Sequence, residues 1–331
     1  MIVSRTPFRI TLGGGGTDLP SYYEKNGGFI FSFCLSKYMY ICMNRPSADD
    51  LIRLKYSISE SVESVEDLKH DIAKACLQRV KISSRIEVAS LSDIPAGSGL
   101  GSSSTYTVGL LNALYSLKGE YKSLEFLADE ACKIEMDILK KPMGKQDQYL
   151  AALGGFVVLE IDKDGTVKSQ KIKLDKSIMN ELNRNLLIFY TGQQRKNDKI
   201  LKEQDSSTKN NKEEVLNSLH YIKESGYKIL DIVRSGNLDE LGYMFREHWE
   251  MKKKLSSGVT NNKIDSIYNT ALNNGASGGK ITGAGGGGFF TFYCRENHHK
   301  LRNAMKEKGL KELEYSFDLD GSRIISNHSS Y

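Results

Sequence analysis

The residues best suited to hold phosphate lie in one short run, Pro95-Ala96-Gly97-Ser98-Gly99-Leu100-Gly101-Ser102-Ser103-Ser104, where glycines alternate with hydroxyl side chains. Glycine adopts positive φ without a steric penalty and lets the backbone approach a ligand, so such a run can turn successive N–H groups toward a polyanion. Two more glycine clusters stand at 13–16 and at 283 with 285–288. Taken singly, each also reads as a flexible loop. The 97–104 run is neither the G-x-x-x-x-G-K-[ST] of a P-loop nor the G-x-G-x-x-G of a dinucleotide fold, so a different nucleotide loop is needed.

The elements around this run must carry it. Arg85-Ile86-Glu87-Val88 alternates polar and apolar as a half-buried strand does, and Val108, Leu111, Leu114 and Tyr115 recur at helical spacing. Strand, glycine loop and helix in that order place the loop at a helix N-terminus, where unpaired N–H groups and the positive dipole end favour an anion. A second helix starts at an N-cap Ser123, with Glu125 in its first turn and an apolar stripe of Leu124, Leu127, Ala131, Ile134 and Ile138; Pro142 and Gly144 end it. A short helix near Lys145-Gln146-Asp147 precedes a strand-like Gly155-Phe156-Val157-Val158-Leu159.

A second domain opens with the strand Leu186-Leu187-Ile188-Phe189-Tyr190. The polar stretch 196–214 reads as a solvated helix face in preference to a lid. Helices follow over 216–233 and 238–254, with Trp249 and Tyr243 expected in the core. The third glycine cluster sits between a helix over 264–272 and the strand Phe289-Phe290-Thr291-Phe292. The fold class is α+β, divided into residues 1–184 and 185–331.

At 331 residues the chain is long enough for two cores, and 39% hydrophobic with 26% charged residues is a folded composition. The net charge of +5 is spread among acidic residues, which speaks against nucleic acid and suits anionic small ligands. Five cysteines without a C-x-x-C pair, and six histidines without H-E-x-x-H, give no disulfide framework or zinc site; the His298-His299 pair is not expected to bind metal. No secretory leader and no apolar run of membrane-spanning length is evident, so a cytoplasmic protein without membrane partners is expected, with oligomerisation possible but not indicated.

Two further segments flank the 95–103 run in order: Arg5-Thr6-Pro7-Phe8-Arg9-Ile10-Thr11-Leu12-Gly13-Gly14-Gly15-Gly16-Thr17-Asp18 and Lys280-Ile281-Thr282-Gly283-Ala284-Gly285-Gly286-Gly287-Gly288. Together the three resemble the motifs of the GHMP kinases, which include galactokinase, homoserine kinase, mevalonate kinase and phosphomevalonate kinase. The resemblance implies two α+β domains, the first with a left-handed β-α-β unit around the phosphate loop and the second ferredoxin-like, with the active site between them. It implies ATP and Mg²⁺ as cofactors, residues 95–104 around the phosphates, Ser103 and Glu135 as oxygen ligands of the metal, Asp147 as the base and Arg9 beside it to stabilise charge. Read without the resemblance, Glu135 and Asp147 are solvated helix charges.

Where galactokinases carry Glu-His in the first motif, this chain has Gly15-Gly16, while Asp18 is kept; Gly15, Gly16, Thr17 and Asp18 are therefore expected around a different or larger sugar. The first motif with Leu19-Pro20, Pro142-Met143-Gly144-Lys145-Gln146-Asp147-Gln148-Tyr149 and Tyr190-Thr191-Gly192-Gln193-Gln194-Arg195 resemble bacterial D-glycero-D-manno-heptose 7-phosphate kinases. These act on the anomeric hydroxyl of a small sugar phosphate on the way to activated heptose for surface polysaccharides. Lys145, Arg195 and Lys196 are the nominees for the distal phosphate, and Gly285 and Gly286 are placed at the substrate side. The competing readings are a kinase for fucose or another hexose, and a catalytically silent sugar and ATP sensor.

Overall fold

Apolar residues alternate or run together through the first forty-odd positions and form two long strands, β1 (Ile2–Gly13) and β2 (Gly28–Asn44), joined through the short helix α1 (Pro20–Asn26). The structure is a computed structural model and describes residues 1–193 and 197–328. Then come β3 (Ile52–Lys55), β4 (Ser59–Val62), α2 (Asp71–Val80), β5 (Ile86–Ser92), α3 (Ser102–Leu117), α4 (Leu124–Cys132), a π-helical turn (Lys133–Ile138), α5 (Gln146–Leu153), β6 (Phe156–Ile161) and β7 (Val167–Ile172). β1 and β2 pair antiparallel, β2 continues to β5 on its other edge, and β5 pairs parallel with β3, with α2 in the connection between them. β6 pairs the first half of β2, because β2 is long enough to serve two neighbours along one edge. Helix α3 lies on β1 and β2 with Gly109 facing Thr6; a Cβ on Gly109 would stand 2.8 Å from the Thr6 hydroxyl, so only glycine allows this approach.

The remaining elements are α6 (Lys176–Asn185), β8 (Leu186–Tyr190), α7 (Asn197–Lys209), α8 (Glu213–Ser235), α9 (Leu241–Lys253), α10 (Asn262–Asn273), β9 (Gly278–Ile281), β10 (Phe289–Tyr293), α11 (His298–Glu307), β11 (Lys311–Glu312), β12 (Phe317–Asp318) and β13 (Arg323–Asn327). A second, four-stranded antiparallel sheet runs β11-β8-β10-β9. Its core gathers Trp249, Tyr268, Phe290, Phe292, Leu301 and Met305. Trp249 is in this core as expected; Tyr243, on the same helix α9 but facing the other way, is 61% exposed.

The division at 184/185 does not hold to the end of the chain. β12 pairs β2 and β13 pairs β1, so residues 317–327 complete the first sheet. Helix α8 also packs on β1 and β2, with Gly226 against Gly13: a Cβ on Gly13 would fall 2.6 Å from the Gly226 Cα. No helix among the described residues is long and apolar enough to cross a membrane.

Candidate active site

A cavity of about 830 Å³ opens between the two sheets, lined by Arg9, Asp18, the 95–103 loop and Asp147 from one side and by His248, Lys252, Lys280 and 281–284 from the other. The phosphate loop leaves β5 and enters α3 through Gly97, Gly99 and Gly101, all at positive φ. The helix cap is Gly101, which has no side chain to occupy the first-turn N–H groups. Pro95, Ala96, Gly97, Gly99, Gly101, Ser102 and Ser103 line the cavity, whereas Ser98, Leu100 and Ser104 are buried behind it. The Ser102 hydroxyl is buried without a partner, an orphan polar group at the mouth of the loop. The third glycine cluster backs this loop: a Cβ on Gly288 would lie 2.0 Å from the Ser98 carbonyl oxygen. Gly285 and Gly286 do not line the cavity; Gly286 donates its N–H to the Val259 carbonyl, and a Cβ on Gly285 would meet the Val259 backbone at 2.9 Å. They hold the shape of the loop at one remove from any acceptor.

Asp147 stands in the first turn of α5, where the helix dipole favours a carboxylate. Arg9, buried on β1, donates from Nε at 2.7 Å to Oδ1, which Nη2 also approaches at 2.6 Å as an ion pair, and from Nη1 at 2.9 Å to the Gly99 carbonyl. One arginine thus fixes the carboxylate and the phosphate loop together. Oδ2 is left facing Gly101, where a Cβ would come within 3.3 Å of it. With both arginine contacts on Oδ1, Oδ2 stays open to a hydroxyl.

Glu135 is fully buried in the π-helical turn and contacts the loop directly. Ser103 donates its hydroxyl to Oε1; Ser104 Oγ at 2.7 Å and Gln148 Nε2 at 2.8 Å donate to Oε2. Burial pushes the carboxyl above its ordinary range, and its hydrogen-bond partners are all neutral. The Ser103 hydroxyl and this carboxylate are hard oxygen donors of the kind Mg²⁺ takes. No group of three or more His, Cys, Asp or Glu among the described residues could hold a metal by itself. The pair therefore fits a cation whose remaining ligands are phosphate oxygens and water.

Asp18 is buried beside this centre. It accepts N–H bonds from Gly16 at 3.2 Å and Gln146 at 3.1 Å, and burial pushes its carboxyl up to about 6, with the Asp147 charge adding to the rise. Gly144, which the sequence offers as a helix stop, has a different reason to be glycine: a Cβ there would overlap Asp18 Oδ2 at 2.0 Å. Gly15 and Gly16 line the cavity. Thr17 does not; its hydroxyl donates to the Gly14 and Phe29 carbonyls and accepts from the Phe29 N–H, locking the turn that presents Asp18. Lys145 is likewise turned away, with Nζ bonded to the Gly165 carbonyl and 5.5 Å from the Tyr23 ring. Arg195 and Lys196 lie outside the described residues.

Two groups that sequence reasoning missed line the same cavity. Tyr56, His70 and Tyr106 form an aromatic cluster, with ring centroids 4.7 Å and 4.9 Å apart, beside Leu91 and Ile94 at the start of the phosphate loop. Their spacing carries no signal, because the β3–β4 turn, the cap of α2 and the helix α3 bring them together only in three dimensions. The other group is Lys280, Lys252 and His248. Lys280 heads the glycine-rich segment 280–288, but nothing in the order of residues shows that it is buried. The polar stretch forms a helix with Lys199, Lys202, Ser206 and Lys209 exposed, but its other face is not solvated: α7 turns Leu201 and Gln204 into the cavity wall, buries Gln204, Ser207 and Thr208, and has Glu203 accepting from Ser256 and Ser257.

An anion cradle at a helix N-terminus, faced by a carboxylate with one open oxygen, is an arrangement for moving a phosphoryl group to a hydroxyl, which defines a small-molecule kinase. The comparisons agree. Residues 67–155 match the GHMP kinases N terminal domain and residues 229–311 the GHMP kinases C terminal domain, and the chain belongs to this family. It is 31% identical to a D-glycero-alpha-D-manno-heptose 7-phosphate kinase of Campylobacter jejuni over 97% of both chains. It is 26% identical to an L-fucokinase/L-fucose-1-P guanylyltransferase of Bacteroides fragilis over 91% of this chain and 35% of that one. Among solved structures, a D-glycero-D-manno-heptose 1-phosphate kinase of Bacteroides thetaiotaomicron superposes with a TM-score of 0.81 at 24% identity, over 99% of this chain and 100% of that one. A galactokinase of Lactococcus lactis with galactose gives 0.78 at 19%, over 97% and 94%. At those identities the two structures speak for the fold.

Proposed function

We propose that this protein phosphorylates the anomeric hydroxyl of D-glycero-D-manno-heptose 7-phosphate with ATP and Mg²⁺, in the cytoplasm, giving the 1,7-bisphosphate for nucleotide-activated heptose. The observation that carries the reading is the space at Gly15 and Gly16 beside the buried Asp18, in a chain similar from end to end to a heptose 7-phosphate kinase. Residues 97–103 would wrap the phosphates, with adenine against Tyr56, His70 and Tyr106. Ser103 and Glu135 would hold Mg²⁺, which supplies charge neutralisation on the phosphates. Asp18, ionised at neutral pH, accepts from a sugar hydroxyl and aligns the ring. Asp147 Oδ2 takes the proton of the anomeric hydroxyl as its oxygen bonds to the γ-phosphorus and the bond to the ADP oxygen breaks. An anomeric hydroxyl is more acidic than an ordinary alcohol, which suits a carboxylate base. Arg9 holds Oδ1 throughout and keeps Oδ2 directed at the loop.

The test is ADP release by the purified protein with ATP and Mg²⁺, offering D-glycero-D-manno-heptose 7-phosphate beside fucose, galactose and mannose. Release with the heptose phosphate alone is expected. Turnover of fucose, toward which the fucokinase similarity points, would keep the kinase and replace the acceptor; silence with every sugar, in a protein that binds ATP, would favour the sensor.

A further inference from the structure

We infer that Lys280, together with Lys252 and His248, forms the socket for the phosphate that the acceptor already carries. The inference deepens the proposed function and rests on its reading that the acceptor arrives phosphorylated. All three side chains line the cavity and all are more than nine-tenths buried. Lys280 projects from β9, donates from Nζ to the Leu12 carbonyl at 2.5 Å and sits 5.1 Å from the Phe245 ring. Among the described residues no carboxylate forms an ion pair with it, so an ammonium with three donors is buried against one carbonyl and one ring face. Lys252, on α9, donates to the Ile281 carbonyl at 2.7 Å and the Gly283 carbonyl at 2.5 Å. One turn earlier on the same helix, His248 has its Nδ1 buried without a partner.

A lysine that only tied β9 to β1 would bury a charge for a single hydrogen bond, a poor exchange by any measure of desolvation. The burial has its expected consequence: the Lys280 ammonium is pushed down to about 7, and His248 is held well below its usual range by burial and by the two lysines. An entering phosphate dianion reverses both effects, since it supplies the missing opposite charge and accepts from Lys280 and from the histidine ring.

Position separates this socket from the nucleotide. Lys280 is anchored at Leu12, three residues beyond Arg9 on β1, about 10 Å along the strand. Arg9 marks the transfer end, where Asp147 meets the phosphate loop. A seven-carbon sugar has comparable reach from its anomeric oxygen to its far end, so its reacting hydroxyl and its phosphate can occupy the two marks at once. Gly15, Gly16 and Asp18 lie on the stretch of chain that follows, where the ring would rest.

Calorimetric titration of the full-length protein tests this without turnover. The probes are D-glycero-D-manno-heptose with and without its 7-phosphate, and mannose 6-phosphate against mannose. The wild type is expected to bind each phosphorylated sugar about ten- to hundredfold more tightly than its plain counterpart. Lys280→Met should bring each ratio to within about threefold, Lys280→Arg should retain part of it, and ATP titration of the same samples checks that they are folded. A wild type with no preference for the phosphorylated sugars would overturn the socket, with no variant needed. So would Lys280→Met binding ATP and keeping the preference. If the heptose phosphate is not turned over but the phosphorylated sugars still bind preferentially through Lys280, the socket stands and only the proposed acceptor falls.

Discussion

The two walls of the cavity carry opposite charge and satisfy it in opposite ways. On the wall built by the first sheet, Asp18, Glu135 and Asp147 are carboxylates served by backbone N–H groups, hydroxyls, an amide and one arginine. On the wall from α9 and β9, Lys252 and Lys280 are cations that donate to carbonyl oxygens. Burial drives members of the two sets toward neutrality from opposite sides, raising Asp18 to about 6 and Glu135 above its ordinary range, and lowering Lys280 to about 7. The proposed function divides the labour along the same line: the first wall would handle a proton and a metal, and the second would meet charge that comes in with the ligand.

The largest effect is expected from Asp147→Asn. Turnover should fall by about 10²- to 10⁴-fold, since the amide can still take the Arg9 bonds but cannot accept the hydroxyl proton. ATP binding should persist, and an assay of ADP release against a nucleotide titration separates the two. Near-normal turnover would remove Asp147 from the base role.

A smaller effect distinguishes Asp18 from its neighbour. Because burial raises its carboxyl to about 6, affinity for the unphosphorylated heptose should rise as pH climbs through that value and the carboxylate forms, and should drop by about tenfold per unit well below it. The Asp18→Asn variant should bind weakly with a flat profile between pH 5 and 7. A wild-type profile already flat there would show that the charge on Asp18 does not grip the sugar.

The least effect is expected where the second half of the chain touches the phosphate loop. Gly288→Ala places a Cβ 2.0 Å from the Ser98 carbonyl at a φ of +89°, which should cost about 1–3 kcal/mol in thermal unfolding and weaken nucleotide binding with it. An unchanged melting temperature would mean that the loop has room to shift.

How far the molecule was legible beforehand depends on whether a signal is local. Ser123 is an N-cap as expected, accepting from the Phe126 N–H at 3.1 Å, because capping is a matter of three adjacent residues. The apolar stripe that follows predicts an inward Ile138, yet the chain widens into a π-turn at 133–138, which leaves Ile138 52% exposed and brings Glu135 to the loop. A period of 3.6 cannot register that insertion. Asp147, Arg9, Asp18 and the phosphate loop were readable through the ordered motifs. Thr17, Lys145, Gly285 and Gly286 share those segments but point elsewhere, since a motif fixes neighbourhood and leaves direction to the fold. Lys280, Lys252 and His248 meet only once the two sheets face each other, and no spacing encodes that.

The pairing of β13 with β1 has a consequence for how the protein is made. The ribosome releases β1 more than three hundred residues before its edge partner exists, and the seam is closed by reciprocal bonds between Met1 and His328. Until β13 has been made, the first sheet carries an open edge of the kind that invites wrong partners.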